Sequence, residues 1–143
     1  MSVGYWQDLP LRLVRGRSQS GLDGPPRYCK SQFLRVGLDG QVESFGSTVL
    51  VEDGHCTFSP DKQWVLNDTY PDRFDMRTLM LVKWPEGRRT DIARLHSPKS
   101  KWWGEIRCDL HPRWSRDEKV LCIDSVHEGT RQMYVVDVSE WIS

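Results

Sequence analysis

No excess of either charge marks this 143-residue chain: Lys plus Arg and Asp plus Glu both number 20. A balanced surface has no net field to draw it onto nucleic acid or a membrane, so neither partner is expected. No apolar run approaches the roughly 20 residues of a membrane span. The N-terminal MSVGYWQDLPLRLVRGRS also lacks the continuous apolar core of a signal peptide. The four cysteines, Cys29, Cys56, Cys108 and Cys122, form no Cys-x-x-Cys pair. Three of them sit in apolar, strand-like stretches suited to a buried, reduced thiol. A cytoplasmic location is the expectation from these absences. No segment carries an apolar stripe at helical spacing. A Gly-x-Ser-x-Gly elbow, a phosphate-cradling glycine loop and a zinc framework of paired cysteines are missing too, which removes three common chemistries. Cys108 and His111 have a zinc-like spacing, but on an extended chain they point to opposite sides.

What is present is tryptophan, seven of them, and a duplication. DGHCTFSPDKQWVLNDTY at 53–70 and DLHPRWSRDEKVLCIDSV at 109–126 align at an offset of 56. His55 then falls on His111, Phe58-Ser59-Pro60-Asp61 on Trp114-Ser115-Arg116-Asp117, Leu66 on Cys122 and Asp68 on Asp124. After a two-residue slip, Arg77 to Val82 lies over Arg131 to Val136 at an offset of 54. Ser31 to Val36 is a fainter third copy of that last element.

A period of about 55 residues belongs to propeller blades and other repeat arrays. WVLNDTY, TLMLVKW, KVLCIDS and QMYVVDV are short, rich in Val, Leu, Ile and Tyr, and bounded by turn residues. Such runs are strands buried on both faces or nearly so. Ser-Pro-Asp-Lys and Ser-Arg-Asp-Glu are tight turns, with Asp side chains capping the local backbone. The fold class expected is all-β: two to three four-stranded antiparallel blades of an incomplete β-propeller. Strands in the first full copy are expected near 55–59, 64–69, 78–84 and 88–95. Residues 1–27 show neither repeat nor strand pattern and read as a poorly ordered leader. Part of a blade follows at 28–50, then blades at 51–96 and 97–143. Propellers close with 4–8 blades, so missing blades or self-association are expected, the former favoured: a C-terminal fragment of a longer protein.

The string His-x-x-[Phe/Trp]-Ser-x-Asp, an apolar strand ending in Asp-[Thr/Ser], and [Leu/Met]-x-[Leu/Val]-Val resembles the WD-like propeller repeat of TolB-type proteins over residues 30–143. More narrowly, His111-Pro112-Arg113-Trp114-Ser115 is similar to a His-Pro-x-aromatic-Ser/Thr segment of the oligogalacturonate lyases. That resemblance implies a propeller binding a divalent metal through histidines near its channel, and β-elimination on uronate oligosaccharides in pectin degradation. Two positions depart from the lyase pattern. A second family histidine, two residues before His111, is here Asp109, and a glutamine ligand has Ile106 as its nearest counterpart.

Read from the residues, His55 and His111 hold equivalent places on adjacent blades and face a common space at the channel mouth. Neutral imidazole is the commonest side-chain metal ligand, and Asp109 adds an oxygen from the same side of an extended chain. Two nitrogens and an oxygen suit Mn, Zn or Fe. The competing account has each histidine tying down a turn through backbone bonds. Segment 97–112 reads as an inserted loop, where binding chemistry concentrates. There Trp102 and Trp103 can stack on a sugar or cover a neighbouring blade, and Arg107 offers a bidentate fork for a uronate carboxylate. His127 lies outside the repeat and either faces the same mouth or caps its turn. Two functions stay open: a metal-assisted oligosaccharide lyase fragment, or a non-catalytic propeller segment binding protein or glycan.

Overall fold

A computed structural model of the chain describes residues 12–13, 33–37, 39–46 and 48–143, with 12, 13 and 43 described by backbone alone. They fall in two units, Met1–Glu52 and Asp53–Ser143. In the first, β1 (Arg12–Leu13), β2 (Phe33–Val36) and β3 (Val42–Phe45) form an antiparallel sheet in that order. Strand β2 is the faint third copy. Phe33 pairs with Phe45 across it, and both rings are buried. Strand β1 corrects the strandless reading of 1–27: two of those residues pair with Leu34 and Phe33. A two-residue ladder is made by backbone groups, so it leaves no alternation of side chains to detect. The other residues of the expected leader, and Cys29, lie outside the described residues.

The second unit holds the duplication. Strands β4 (Thr57–Phe58), β5 (Trp64–Asp68), β6 (Met76–Lys83) and β7 (Arg88–His96) form a four-stranded antiparallel sheet in chain order. Strands β8 (Arg113–Trp114), β9 (Val120–Ser125) and β10 (Gln132–Asp137) form a three-stranded one. The all-β class holds, with one short helix, α1 (Ser139–Ile142). Four strands in every repeat does not hold among the described residues. After β10 the Val138 N–H bonds to the Lys119 carbonyl at 2.8 Å and the chain turns into α1 instead of folding back along β10. No helix among the described residues is long and apolar enough to cross a membrane.

The pairing registers carry the repeat at residue level. Thr57 and Phe58 pair with Leu66 and Val65, while Arg113 and Trp114, 56 residues on, pair with Cys122 and Leu121. Val65 pairs with Val82 and Leu121 with Val136, so β9 keeps the offset of 56 while β10 takes 54. The two-residue slip therefore sits in the connection and leaves every ladder in phase. The turns repeat as well. Ser59 Oγ donates to Asp61 at 2.6 Å and accepts the Trp64 N–H at 2.9 Å. Ser115 does the same with Asp117 at 2.6 Å and Val120 at 3.1 Å. Lys62 and Glu118 both take positive φ, 64° and 63°. Such a conformation is uncommon for residues with a Cβ, and here each turn's serine–aspartate pair holds it.

The two sheets pack face on face. Trp64, Leu66, Leu79 and Leu81 of the first meet Leu121 and Ile123 of the second, with Leu110 and Val138 closing the cluster. Ala93 and Leu95 of β7 and Tyr134 and Val136 of β10 pack at its margin. Asp68 pairs with Leu79 and Arg77 with Leu95, so both polar side chains share the apolar face that meets the second sheet. This places them at one end of the contact, beside the chain that enters β8.

Candidate metal centre

His55 precedes β4 by two residues and is held against the far end of β5. Its backbone N–H donates to Asp68 Oδ1 at 2.6 Å, and its ring Nδ1 lies 3.0 and 3.2 Å from the two Asp68 oxygens. The approach needs Gly54: a Cβ there would stand 1.7 Å from the Asp68 carbonyl oxygen, space that only glycine leaves free. Asp68 is fully buried and the His55 side chain one-third exposed. The carboxylate raises the His55 pKa above its ordinary value, more than burial lowers it.

His111 arrives by a different route. It sits between buried Leu110 and buried Pro112 with φ at 42°, in the left-handed region that a residue with a Cβ occupies at a cost of roughly 1–3 kcal/mol. Its side chain is exposed, and the two imidazole centroids are 4.1 Å apart at 51°. Asp109, two residues earlier, is buried and locked by two arginines. Arg77 Nη2 donates to Oδ1 at 2.7 Å and Arg107 Nε to Oδ2 at 2.8 Å. Arg77 is itself buried and also donates to the Thr69 carbonyl and the Ser97 hydroxyl, both at 3.2 Å. The Tyr70 ring faces both guanidinium groups, at 5.7 Å and 5.2 Å, with His55 6.2 Å away.

The structure thus brings together the three residues expected to hold a metal. One ligand atom each from His55, Asp109 and His111 lie within 4.8 Å of one another. Bonds of about 2.1 Å set the donors of a tetrahedral ion about 3.4 Å apart, so closure takes a shift of roughly 1–1.5 Å. The donor chemistry fits. With Nδ1 engaged by Asp68, His55 has Nε2 left to give, and each Asp109 oxygen has a second lone pair beyond its arginine. Two imidazoles and one carboxylate are ligands of intermediate hardness, compatible with Mn, Fe or Zn. The thiols stay outside the set: burial pushes Cys56 up to about 12 and raises Cys108 as well.

Arg107 joins this cluster, with no hydrogen bond at its terminal nitrogens among the described residues and about a third of its side chain exposed. Trp102, Trp103 and His127 are the other residues expected to bind substrate. Trp102 lies under Lys101, whose ammonium is 5.1 Å from the ring and bonds to the Gly129 carbonyl, and Trp103 is exposed. The His127 Nδ1 lies 2.9 Å from Ser125 Oγ, which also accepts the His127 backbone N–H at 3.3 Å, and its ring packs 4.5 Å from Tyr134. Asp68, Arg77 and Tyr70 complete the cluster; the sequence reads Asp68 and Tyr70 only as rim residues and Arg77 only as part of a repeated strand. A signal was present for Asp68 and Arg77, since each aligns with the same residue type in the second copy, Asp124 and Arg131.

No protein-family model matches the chain, and no curated protein matches it in sequence.

Proposed function

We propose that the second unit is a divalent-metal site of a propeller-type protein acting on uronate oligosaccharides by β-elimination. One observation carries the reading: His55, Asp109 and His111, drawn from both copies of the repeat, converge within 4.8 Å. His55 through Nε2, His111 and Asp109 are the residues that hold the ion, and Arg77 keeps Asp109 in place. A bound cation supplies neutralisation of the uronate carboxylate, which acidifies the adjacent C–H. Arg107 offers its terminal nitrogens to that carboxylate as a planar fork. In the elimination a general base takes the C–H proton, that bond's electron pair becomes the new C=C bond, and the glycosidic oxygen leaves with its bonding pair and takes up a proton. A propeller setting also needs further sheets. The outward face of the second sheet, with Met133 and Val135 65% and 70% exposed, corresponds by register to Leu79 and Leu81, which are covered. Another sheet of the same repeat is the partner this implies.

The second reading, a non-catalytic scaffold, is favoured by one observation: both Asp109 oxygens already bond arginines. Titration with Mn²⁺ and Zn²⁺, followed by melting, separates the two. A ligand at a hundred times its Kd stabilises by about 2.7 kcal/mol. That gain is expected in wild type and lost in His55→Ala and His111→Ala. No shift at millimolar metal leaves the scaffold. Ultraviolet absorbance of an unsaturated product from oligogalacturonate tests the elimination itself.

A further inference from the structure

We infer that Asp68 is a positioning residue: it fixes the His55 ring so that Nε2 is the nitrogen presented to Asp109 and His111. This rests on the metal reading above and adds the group that orders it. Among the described residues His55 supplies every hydrogen bond that the Asp68 side chain makes, one from the backbone N–H and the others at Nδ1. A carboxylate only accepts, so Nδ1 carries a proton, and in the neutral ring Nε2 keeps its lone pair. The backbone bond and a ring contact end on the same oxygen, which holds the residue by its main chain and by Nδ1. Buried without any exposure, Asp68 cannot turn away to water. Carboxylates placed behind a histidine in this way set its tautomer and strengthen it as a ligand.

The duplication provides the contrast. Asp124 stands where the repeat places the partner of His111, yet its carboxylate accepts from Arg113 Nη2 at 3.2 Å. Arg113 replaces Thr57 of the first copy. Among the described residues no carboxylate is hydrogen-bonded to the His111 ring, and its backbone takes φ 42°. One histidine of the pair is fixed in advance, and the other adjusts.

Long-range ¹H–¹⁵N spectra of the metal-free protein, taken at a pH high enough that the ring is neutral, read the tautomer directly, and calorimetry with Zn²⁺ reads the consequence. The expected result is an Nδ1–H tautomer for His55 in wild type. Zinc affinity falls about 10- to 100-fold in Asp68→Asn and stays within about twofold in Asp124→Asn. Asparagine keeps an oxygen for the His55 backbone N–H, and near-ultraviolet circular dichroism confirms that the variant is packed. Should it unfold, the wild-type tautomer decides alone. An Nε2–H tautomer, or equal effects from the two substitutions, overturns the inference. A wild type with the expected tautomer that binds no zinc ends the metal reading and leaves the positioning role standing.

Discussion

Replacing Asp109 by leucine should be the most damaging single change in the histidine cluster. Its partner Arg77 is 1% exposed, with Nη2 2.7 Å from Oδ1, and has no other ion-pair partner. In Asp109→Leu that guanidinium stays buried with its hydrogen bonds to Thr69 and Ser97 but no opposing charge. Stranding one member of a buried pair costs about 3–5 kcal/mol. The two surviving hydrogen bonds argue for the lower end, so about 3 kcal/mol is expected. At about 4–8 °C per kcal/mol for a domain of this size, melting should fall by at least about 12 °C. Arg107 adds little, because it is partly exposed and can return to water when its partner goes. Adding Arg77→Met to Asp109→Leu removes the stranded charge and should recover most of the loss, since apolar replacement of a buried pair is often neutral. Urea unfolding followed by tryptophan fluorescence measures all four corners of this cycle. A loss below about 1 kcal/mol in Asp109→Leu, or a double variant as unstable as the two singles added together, refutes the reasoning.

Gly54→Ala should lower stability by about 3 kcal/mol or more and weaken metal binding, because the new methyl meets the Asp68 backbone; melting and zinc calorimetry test both. The register equivalence is checked by two truncations at matching positions: Leu81→Ala, fully buried, should cost about 2–5 kcal/mol, and Val135→Ala, mostly exposed, under about 0.5 kcal/mol. The Ser115 hydroxyl and then the Lys119 N–H hold the Asp117 carboxyl below its ordinary value. Its contribution is thus present above the unfolded value of about 3.9 and disappears as pH falls through the lower, folded one. Asp117→Asn should flatten that part of the acid limb in urea midpoints taken between about pH 2 and 5, and an unchanged limb counts against the turn's role.

The Ser-x-Asp turns were legible because their chemistry is local. A serine and an aspartate two residues apart bond each other and the next strand's first N–H, whatever lies around them. The strands of the first full copy were legible for a similar reason: their apolar runs are bounded by turn residues, and β5 to β7 lie within two residues of the expected limits. Strand β1 was not legible, having two residues and no pattern. The missing fourth strand of the second copy was not legible either, since SEWI carries no signal that distinguishes a short helix from a returning strand.

By itself the sequence determined that two copies of one β unit would form with matching registers, because alternation and turn residues act over a few positions and repeat whenever the residues repeat. It also singled out His55, Asp109 and His111 as residues that could meet. That they do meet, and that Asp68 serves one histidine while Arg113 takes Asp124 from the other, was decided only by tertiary structure. The meeting depends on how sheets from the two copies pack, and local pattern carries no information about which of two available partners a carboxylate will take.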